Sequence, residues 1–293
     1  MTQSSASNTI LELIKIRLSD MRPSEKKVAR VLISDYPVAG LESISQLSKR
    51  ANVSGPTVIR FINSLDIESY PNFQRRLLDE LQQKTQSPLT MYEETKISDE
   101  SHDVLQESAS IFVDNINSTF SQQLPSEFDD TLALLMNPKK RISCVGGRFS
   151  GFLSNYLALH LQQIRKDTVH LEQSVDAHAQ YLLDAGKKDA LLVFDFRRYE
   201  PQTITLANEA AKLGVEVILI TDPYLSPIAD IASVVLTTAI VAPSPFDSYV
   251  SATALVEAIV AGMIKNLDSQ SKKRIAKLEE YRFAFSHLNN GNS

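Results

Sequence analysis

Residues 44–65 read ISQLSKRANVSGPTVIRFINSL, and the reading of this stretch decides the fold of the first third of the chain. Ile44, Leu47 and Ala51 recur at i, i+3 and i+7, one face of a first helix. Ser43 stands in front of it as an N-cap. Asn52-Val53-Ser54-Gly55 then breaks the period and supplies a turn. Ser54 is placed to cap a second helix, and Pro56 is tolerated in its first turn. Val58, Phe61, Ile62 and Leu65 form the second apolar stripe, while Thr57, Arg60, Asn63 and Ser64 leave the remaining positions small, polar or basic. Two short helices about a tight turn, the second with an apolar back, are the layout of a helix-turn-helix, whose second helix enters the major groove of DNA. The competing reading is an ordinary helical hairpin.

On the N-terminal side, residues 10–20 carry Ile10, Leu13, Ile14 and Leu18 on one helical face. Pro23 and Ser24 start a second helix with Val28, Val31 and Leu32 inward, stopped by Pro37. Beyond the pair, Tyr70-Pro71 opens a fifth helix with Phe73, Leu77, Leu78 and Leu81 as its stripe. The pattern predicts five helices in an all-α domain over residues 1–85. The stretch QSPLTMYEETK is polar, contains a proline and has no period, which predicts a linker over 86–98.

A second domain is expected over 99–293, enough chain for its own core. A helix through Val104, Leu105, Ile111, Phe112 and Ile116 and another from Ser126 to Met136 come first. Short apolar runs then alternate with helical stretches. The runs are Ile142–Val145, Thr168–Leu171, Ala190–Asp195, Val215–Thr221 and Ser233–Leu236. Helices are expected near Ser150–Ile164, Asp176–Leu183, Gln202–Leu213, Ser248–Leu267 and Lys272–Leu288. Runs without polar alternation suit strands buried on both faces, so the body reads as a parallel sheet covered by helices.

Composition is that of an ordinary soluble protein, with 43% hydrophobic and 22% charged residues. The single Cys144 rules out an internal disulfide framework. No apolar run approaches the ~18 residues of a membrane span, and MTQSSASNTI has neither the basic nor the apolar region of a signal peptide; the expectation is a cytoplasmic protein with no membrane partner. The net charge is −5, which alone argues against nucleic acid. Its distribution argues the other way, because residues 1–85 hold 12 basic against 9 acidic residues and the remainder 18 against 26. A mildly basic head on an acidic body suits a DNA reader.

Two segments resemble the RpiR/MurR-type bacterial transcriptional regulators. Residues 10–85 resemble their helical domain through PSEKKVARVLISDYP, SISQLSKRANVSGPTVIRFINSL and YPNFQRRL. Residues 135–265 resemble their SIS (sugar isomerase) domain through CVGGRFS, the run 190–195, AAKLGVEVILITD and SPIADIASVVL. The resemblance implies a five-stranded parallel sheet in flavodoxin-like order with helices on both faces. It also implies a homodimer or homotetramer on double-stranded operator DNA, tuned by a small ligand such as a phosphosugar.

Docking geometry sets the N-terminal residues of a recognition helix against base edges. Ser54, Gly55, Thr57 and Arg60 are therefore the first candidates, with Asn63, Lys49 and Arg50 as phosphate contacts. For each basic residue the alternative is a solvated surface charge. Gly55-Pro56 withholds side-chain donors, so specificity leans on Arg60, backbone contacts and DNA shape.

In an open α/β sheet, ligands bind beyond the carboxyl ends of the strands where the strand order switches. After the first strand the chain reads Gly146-Gly147-Arg148-Phe149-Ser150, a turn opening onto a helix N-terminus, which favours an anion. A plain tight turn is the alternative. After the third strand, SIS domains usually carry an S-x-S-G motif that holds a sugar phosphate. This chain departs from it with Phe194-Asp195-Phe196-Arg197-Arg198-Tyr199-Glu200-Pro201. Arg197 and Arg198 offer bidentate, charge-assisted contacts to phosphate or carboxylate in place of hydroxyls; otherwise they are structural ion pairs with Asp195, Asp222 or Glu200. Ser244 and Ser248 complete the candidate pocket, with Ser248 equally suited to capping the next helix. Glu257 inside that apolar helix is either a paired structural residue or the remnant of an isomerase base.

Catalytic, metal and cofactor expectations are all none. His102, His160, His170, His178 and His287 lack metal-ligand spacing, and Cys144 lies inside a strand. The sequence therefore reads as a ligand-responsive regulator that binds a small anionic metabolite. The rival is a sugar-phosphate isomerase with an accessory helical domain.

Overall fold

The computed structural model describes residues 9–18, 20–85 and 103–288. The linker expected over 86–98 and His102 lie outside the described residues, as does the side chain of His287. Two compact units result, one formed by residues up to 108 with 241–247, the other by 109–240 and 248–293.

The first unit is helical. Its elements are α1 (Ile10–Arg17), α2 (Pro23–Ser34), α3 (Val38–Leu41), α4 (Ile44–Arg50), α5 (Gly55–Ser64) and α6 (Tyr70–Thr85). The expected five helices are joined by a sixth, α3, a single turn after Pro37 that is too short to show a period. Its Gly40 is required by packing: a Cβ there would stand 2.4 Å from Leu77 Cδ1 and 3.0 Å from Phe73 Cε1. The core gathers Ile14, Val28, Leu32, Leu47, Phe61 and Phe73 with the rest of the expected stripes. Truncating a buried phenylalanine of this kind to alanine costs roughly 3–5 kcal/mol.

Helix α7 (Val104–Gln122) starts within the first unit's residues and continues into the second, which holds α8 (Pro125–Met136), β1 (Arg141–Gly146), α9 (Gly151–Ile164), β2 (Thr168–His170) and α10 (Val175–Asp184). It continues with β3 (Asp189–Phe194), α11 (Pro201–Lys212), β4 (Glu216–Thr221), β5 (Val234–Thr237), α12 (Val250–Lys265) and α13 (Ser269–Leu288). The sheet is parallel throughout and runs β2-β1-β3-β4-β5. Strand β3 shows why its run had no polar alternation. Ala190, Leu192 and Phe194 enter one core with Leu153, Leu157 and Leu255 of α9 and α12, while Leu191 and Val193 enter another with Leu206 and Ala210 of α11. The order reverses between β1 and β3, which opens a crevice at their carboxyl ends. Among the described residues no single helix is long and apolar enough to cross a membrane.

Candidate nucleic-acid interface and anion cleft

Helix α4 is opened by a capping box. Ser43 Oγ accepts from Gln46 N at 3.3 Å, and Ser43 N donates to Gln46 Oε1 at 3.0 Å. Its end is a Schellman turn: Val53 N donates to Ser48 O at 3.0 Å and Asn52 N to Lys49 O at 3.2 Å, with Asn52 in the left-handed region at φ 49°. This turn aims α5. Val58, Phe61, Ile62 and Leu65 are buried, so the apolar back lies where the period placed it. Ser54, Arg60 and Asn63 are exposed and Gly55 is half-buried. Arg17 of α1 fixes the far end of α5 by donating to Ser64 O and the Asp66 carboxylate.

Three details differ from the sequence reading. Ser54 holds the N-cap position, but its hydroxyl bonds Thr57 Oγ1 at 3.0 Å instead of a backbone N–H. Thr57 is buried, and its hydroxyl also accepts from Arg60 Nη2 at 3.0 Å, so it braces Arg60 and does not face outward. Arg50 is engaged by Asp35 at 2.8 Å and Glu42 at 2.7 Å, and the two carboxylates already neutralise it. Lys49 remains exposed at the end of α4.

In the second unit, Gly147, Arg148, Ser150, Arg197 and Arg198 come together with Phe149, Tyr199, Glu200 and Tyr249 around a cleft of about 260 Å³ at the β1–β3 switch point. Gly146 does not line it. That glycine serves the turn, since a Cβ would lie 2.6 Å from Ser150 O. Ser150 is likewise structural: buried, it donates from Oγ to Phe194 O at 2.7 Å and accepts from Gly147 N at 2.8 Å, tying the β1 loop to the end of β3. The N–H groups of Arg148, Phe149 and Ser150 find no acceptor among the described residues.

The β3 loop is staked from beneath by two buried carboxylates. Asp195 accepts from Glu200 N at 3.1 Å and from Ser226 Oγ at 2.5 Å; Asp222 accepts from Tyr199 Oη at 3.0 Å and Tyr224 N at 2.8 Å. Burial, and then the adjacent Asp222, push the Tyr199 phenol far above its ordinary range, while Arg197 acts in the opposite direction. Tyr199 is thus a neutral donor. Arg198 is exposed at the crest of the loop in the left-handed region, φ 72°, where a non-glycine residue is strained. Arg148 lies over the Phe149 ring, 5.3 Å from its centroid. Three guanidinium groups, those of Arg148, Arg197 and Arg198, line the cleft together with the carboxylates of half-buried Glu200 and buried Asp195.

Ser244 and Ser248 do not line the cleft. Ser244 Oγ accepts from Phe246 N at 3.3 Å within its own loop. Ser248 Oγ accepts from Val250 N at 3.3 Å at the start of α12, where Tyr249 holds the N-cap position. Glu257 is exposed on α12 and accepts from Tyr156 Oη, outside the cleft. Sequence reasoning missed Tyr199 and Tyr249; the aromatic following two arginines was a signal for the first, and nothing local marked the second. Cys144 is buried in β1 with its thiol pushed up to about 12.

Residues 8–84 match the helix-turn-helix domain of the rpiR family, and residues 135–262 match the SIS domain. The regulator HexR of Escherichia coli is 39% identical over 72 residues, a match that covers 25% of either chain. An uncharacterised HTH-type transcriptional regulator of Thermotoga maritima is 25% identical over 289 residues, 95% of this chain and 99% of that one. Among solved structures, the sugar isomerase domain of an RpiR transcription factor from Sphaerobacter thermophilus superposes with a TM-score of 0.58 at 21% identity, over 61% of this chain and 99% of that one. Vibrio vulnificus NanR, complexed with ManNAc-6P, gives 0.54 at 18% identity over 94% and 98%. Both likenesses are of fold. The chain thus carries a helix-turn-helix domain of the rpiR family followed by a SIS domain.

Proposed function

We propose that this protein is a cytoplasmic DNA-binding transcriptional regulator whose operator affinity is set by a small anionic metabolite held in the SIS cleft. The observation that carries the reading is the division of α5 into a buried apolar back and an exposed front of Ser54, Arg60 and Asn63, delivered by the Schellman turn. On this reading Arg60, braced by Thr57, reaches a base edge, Ser54 and Gly55 approach the backbone closely, and Lys49 and Asn63 contact phosphate. Arg50 and Thr57 leave the contact set and become positioning residues.

The metabolite sits between Arg148 on the β1 loop and Arg197 and Arg198 on the β3 loop, with the N–H groups of residues 148–150 completing the anion site. NanR holds a sugar phosphate on the same fold, which supports that class. The arginines that replace the serine motif extend it to carboxylates. Binding one arrangement of a homo-oligomer better than another shifts the population, and with it the separation of the two reading heads. An isomerase reading requires an acid–base pair in the cleft; Glu257 does not line it, and the carboxylates that do are Glu200 and the buried Asp195, which is held by Glu200 N and Ser226 Oγ.

A gel shift with the DNA upstream of its own gene, titrated with salt, tests the proposal. The expected result is a specific complex whose affinity falls steeply with salt and drops roughly 10–100-fold in Arg60→Ala, following the ~1–3 kcal/mol of a base contact. Equal binding to that DNA and to unrelated DNA would sink it.

A further inference from the structure

The cleft at the β1–β3 switch point holds one charge that an anion alone leaves without a partner. Glu200 ends the β3 loop and stands at the N-cap of α11, directly before Pro201. Its backbone is engaged on both sides: Glu200 N donates to Asp195 at 3.1 Å, and Glu200 O accepts from Ile204 N at 3.0 Å. Its side chain is not. The carboxylate makes no cap hydrogen bond to the first turn of α11. Among the described residues it forms no ion pair with Arg148, Arg197 or Arg198 and no hydrogen bond to any other group. The other acid of the cleft, Asp195, is buried and already accepts from Glu200 N and Ser226 Oγ. Glu200 is thus the acid that a ligand can reach.

Its position faces the ligand from the side opposite its own loop. A Cβ added to Gly147 would stand 3.5 Å from Glu200 Cβ, so the side chain starts against the β1 turn, next to the open N–H groups of residues 148–150. In a cleft of about 260 Å³ the negative oxygens of any anion come close to this carboxylate, and like charges at short range repel. The sign reverses when the ligand carries a hydrogen-bond donor beside its anionic group, because a charged acceptor then meets that donor.

We infer that Glu200 is the specificity-determining residue of the cleft: it accepts from a hydroxyl or ammonium group that the ligand carries beside its phosphate or carboxylate, and it turns away anions that carry none. The guanidinium groups supply the attraction and Glu200 the discrimination, by repelling the wrong ligand as well as by binding the right one. The inference rests on the anionic ligand proposed above and gives a role there to a residue that attraction alone would exclude.

Two matched series titrated into the full chain by isothermal calorimetry test it. One is inorganic phosphate, glycerol 3-phosphate and ethanolamine phosphate; the other is succinate, malate and aspartate. Each runs from a bare anion to its hydroxyl-bearing and ammonium-bearing relatives, so the preferred member identifies the donor. In at least one series a donor-bearing member is expected to bind wild type about 10-fold or more tighter than the bare anion, the gain of a hydrogen bond to a charged group. In Glu200→Ala and in the shape-preserving Glu200→Gln the bare anion is expected to bind tighter than in wild type, and in Glu200→Ala the preference disappears. Equal binding within both series in wild type, or a preference that survives in Glu200→Ala, overturns the role of Glu200 and leaves the anion cleft standing. A loss shared equally by every member in both variants would show that Glu200 only holds its loop, and overturns it too. If no member binds wild type or either variant, the anionic ligand itself falls and takes the role of Glu200 with it.

Discussion

The two functional regions are each aimed by a turn on a non-glycine residue in the left-handed region, and the two turns are built on different terms. Asn52, at φ 49°, is the residue other than glycine that best tolerates that conformation, and two backbone hydrogen bonds complete its Schellman turn. The turn is self-sufficient and presents α5 as a rigid element. Arg198, at φ 72°, has no such suitability, and its loop is held by the buried carboxylates Asp195 and Asp222 beneath it. Strain that the fold maintains at the crest of a cleft is the mark of a residue kept for what its side chain meets. On the function proposed above, the first turn serves geometry and the second serves binding.

The sharpest way to break that contrast is to remove the guanidinium groups. Arg197→Ala/Arg198→Ala should weaken binding of the anion by about 100-fold or more, taking ~1.5–3 kcal/mol per charge-assisted contact, and leave ligand-free DNA binding unchanged. Isothermal calorimetry with a panel of sugar phosphates and small carboxylates reads the first, and a gel shift the second. Wild-type ligand affinity in the double variant would make Arg198 a structural residue and erase the distinction.

A second prediction concerns the helical unit, whose own buried charge lies away from its turn. Glu12 is buried beside Glu80, and burial first, then that neighbour, raises its carboxyl from 4.5 to about 7 against the opposing hydrogen bonds from Thr9. The folded unit therefore holds a proton that the unfolded chain releases. This stability is fully present below about 4.5 and is lost as pH rises through about 7. Glu12→Gln should raise stability at pH 8 by at most about 3 kcal/mol while changing little at pH 4, as thermal unfolding at the two pH values would show. An equal effect at both would refute the assignment.

Smaller effects separate the turns themselves. Arg198→Gly should stabilise the α/β unit by about 1 kcal/mol as the strain is relieved, at the expense of ligand affinity. Asn52→Gly should stay within about 0.5 kcal/mol of wild type. Melting curves of the two variants decide it; a loss of stability in Arg198→Gly would show that the conformation is not strained.

How much of this was legible in the sequence follows the range of the physics. The α4–α5 pair was legible because its signals are local: apolar residues at helical spacing, Ser43 in front and Asn52 at the turn. Strands β3 and β4 were legible because burial on both faces leaves an apolar run, Ala190–Phe194 and Val217–Ile220, and β1 because only Ser143 interrupts Ile142–Val145. Local signals fail where the partner is distant. Ser150 looked like an anion ligand, and its hydroxyl is taken by Phe194 O, 44 residues away. Arg50 looked like a phosphate contact, and Asp35 and Glu42 approach it from neighbouring segments. Thr57 is small enough to be buried beside an apolar back, which no period reveals. In α7 the apolar stripe was visible, but not that the fold would bury Asn115 and Thr119 instead. The cleft itself was half legible: strand order placed it between β1 and β3, and five of eight candidate residues line it.

The central claim is that occupancy of the arginine-lined cleft changes what α5 does on DNA. Its most direct test is the operator affinity of the full chain, by fluorescence anisotropy, with and without the tightest-binding anion of that panel, in wild type and in Arg197→Ala/Arg198→Ala. The account predicts a change of at least about 5-fold in wild type, the lower end of allosteric coupling, and none in the double variant. A wild-type affinity indifferent to every anion that binds, or a double variant that responds as wild type does, would contradict it.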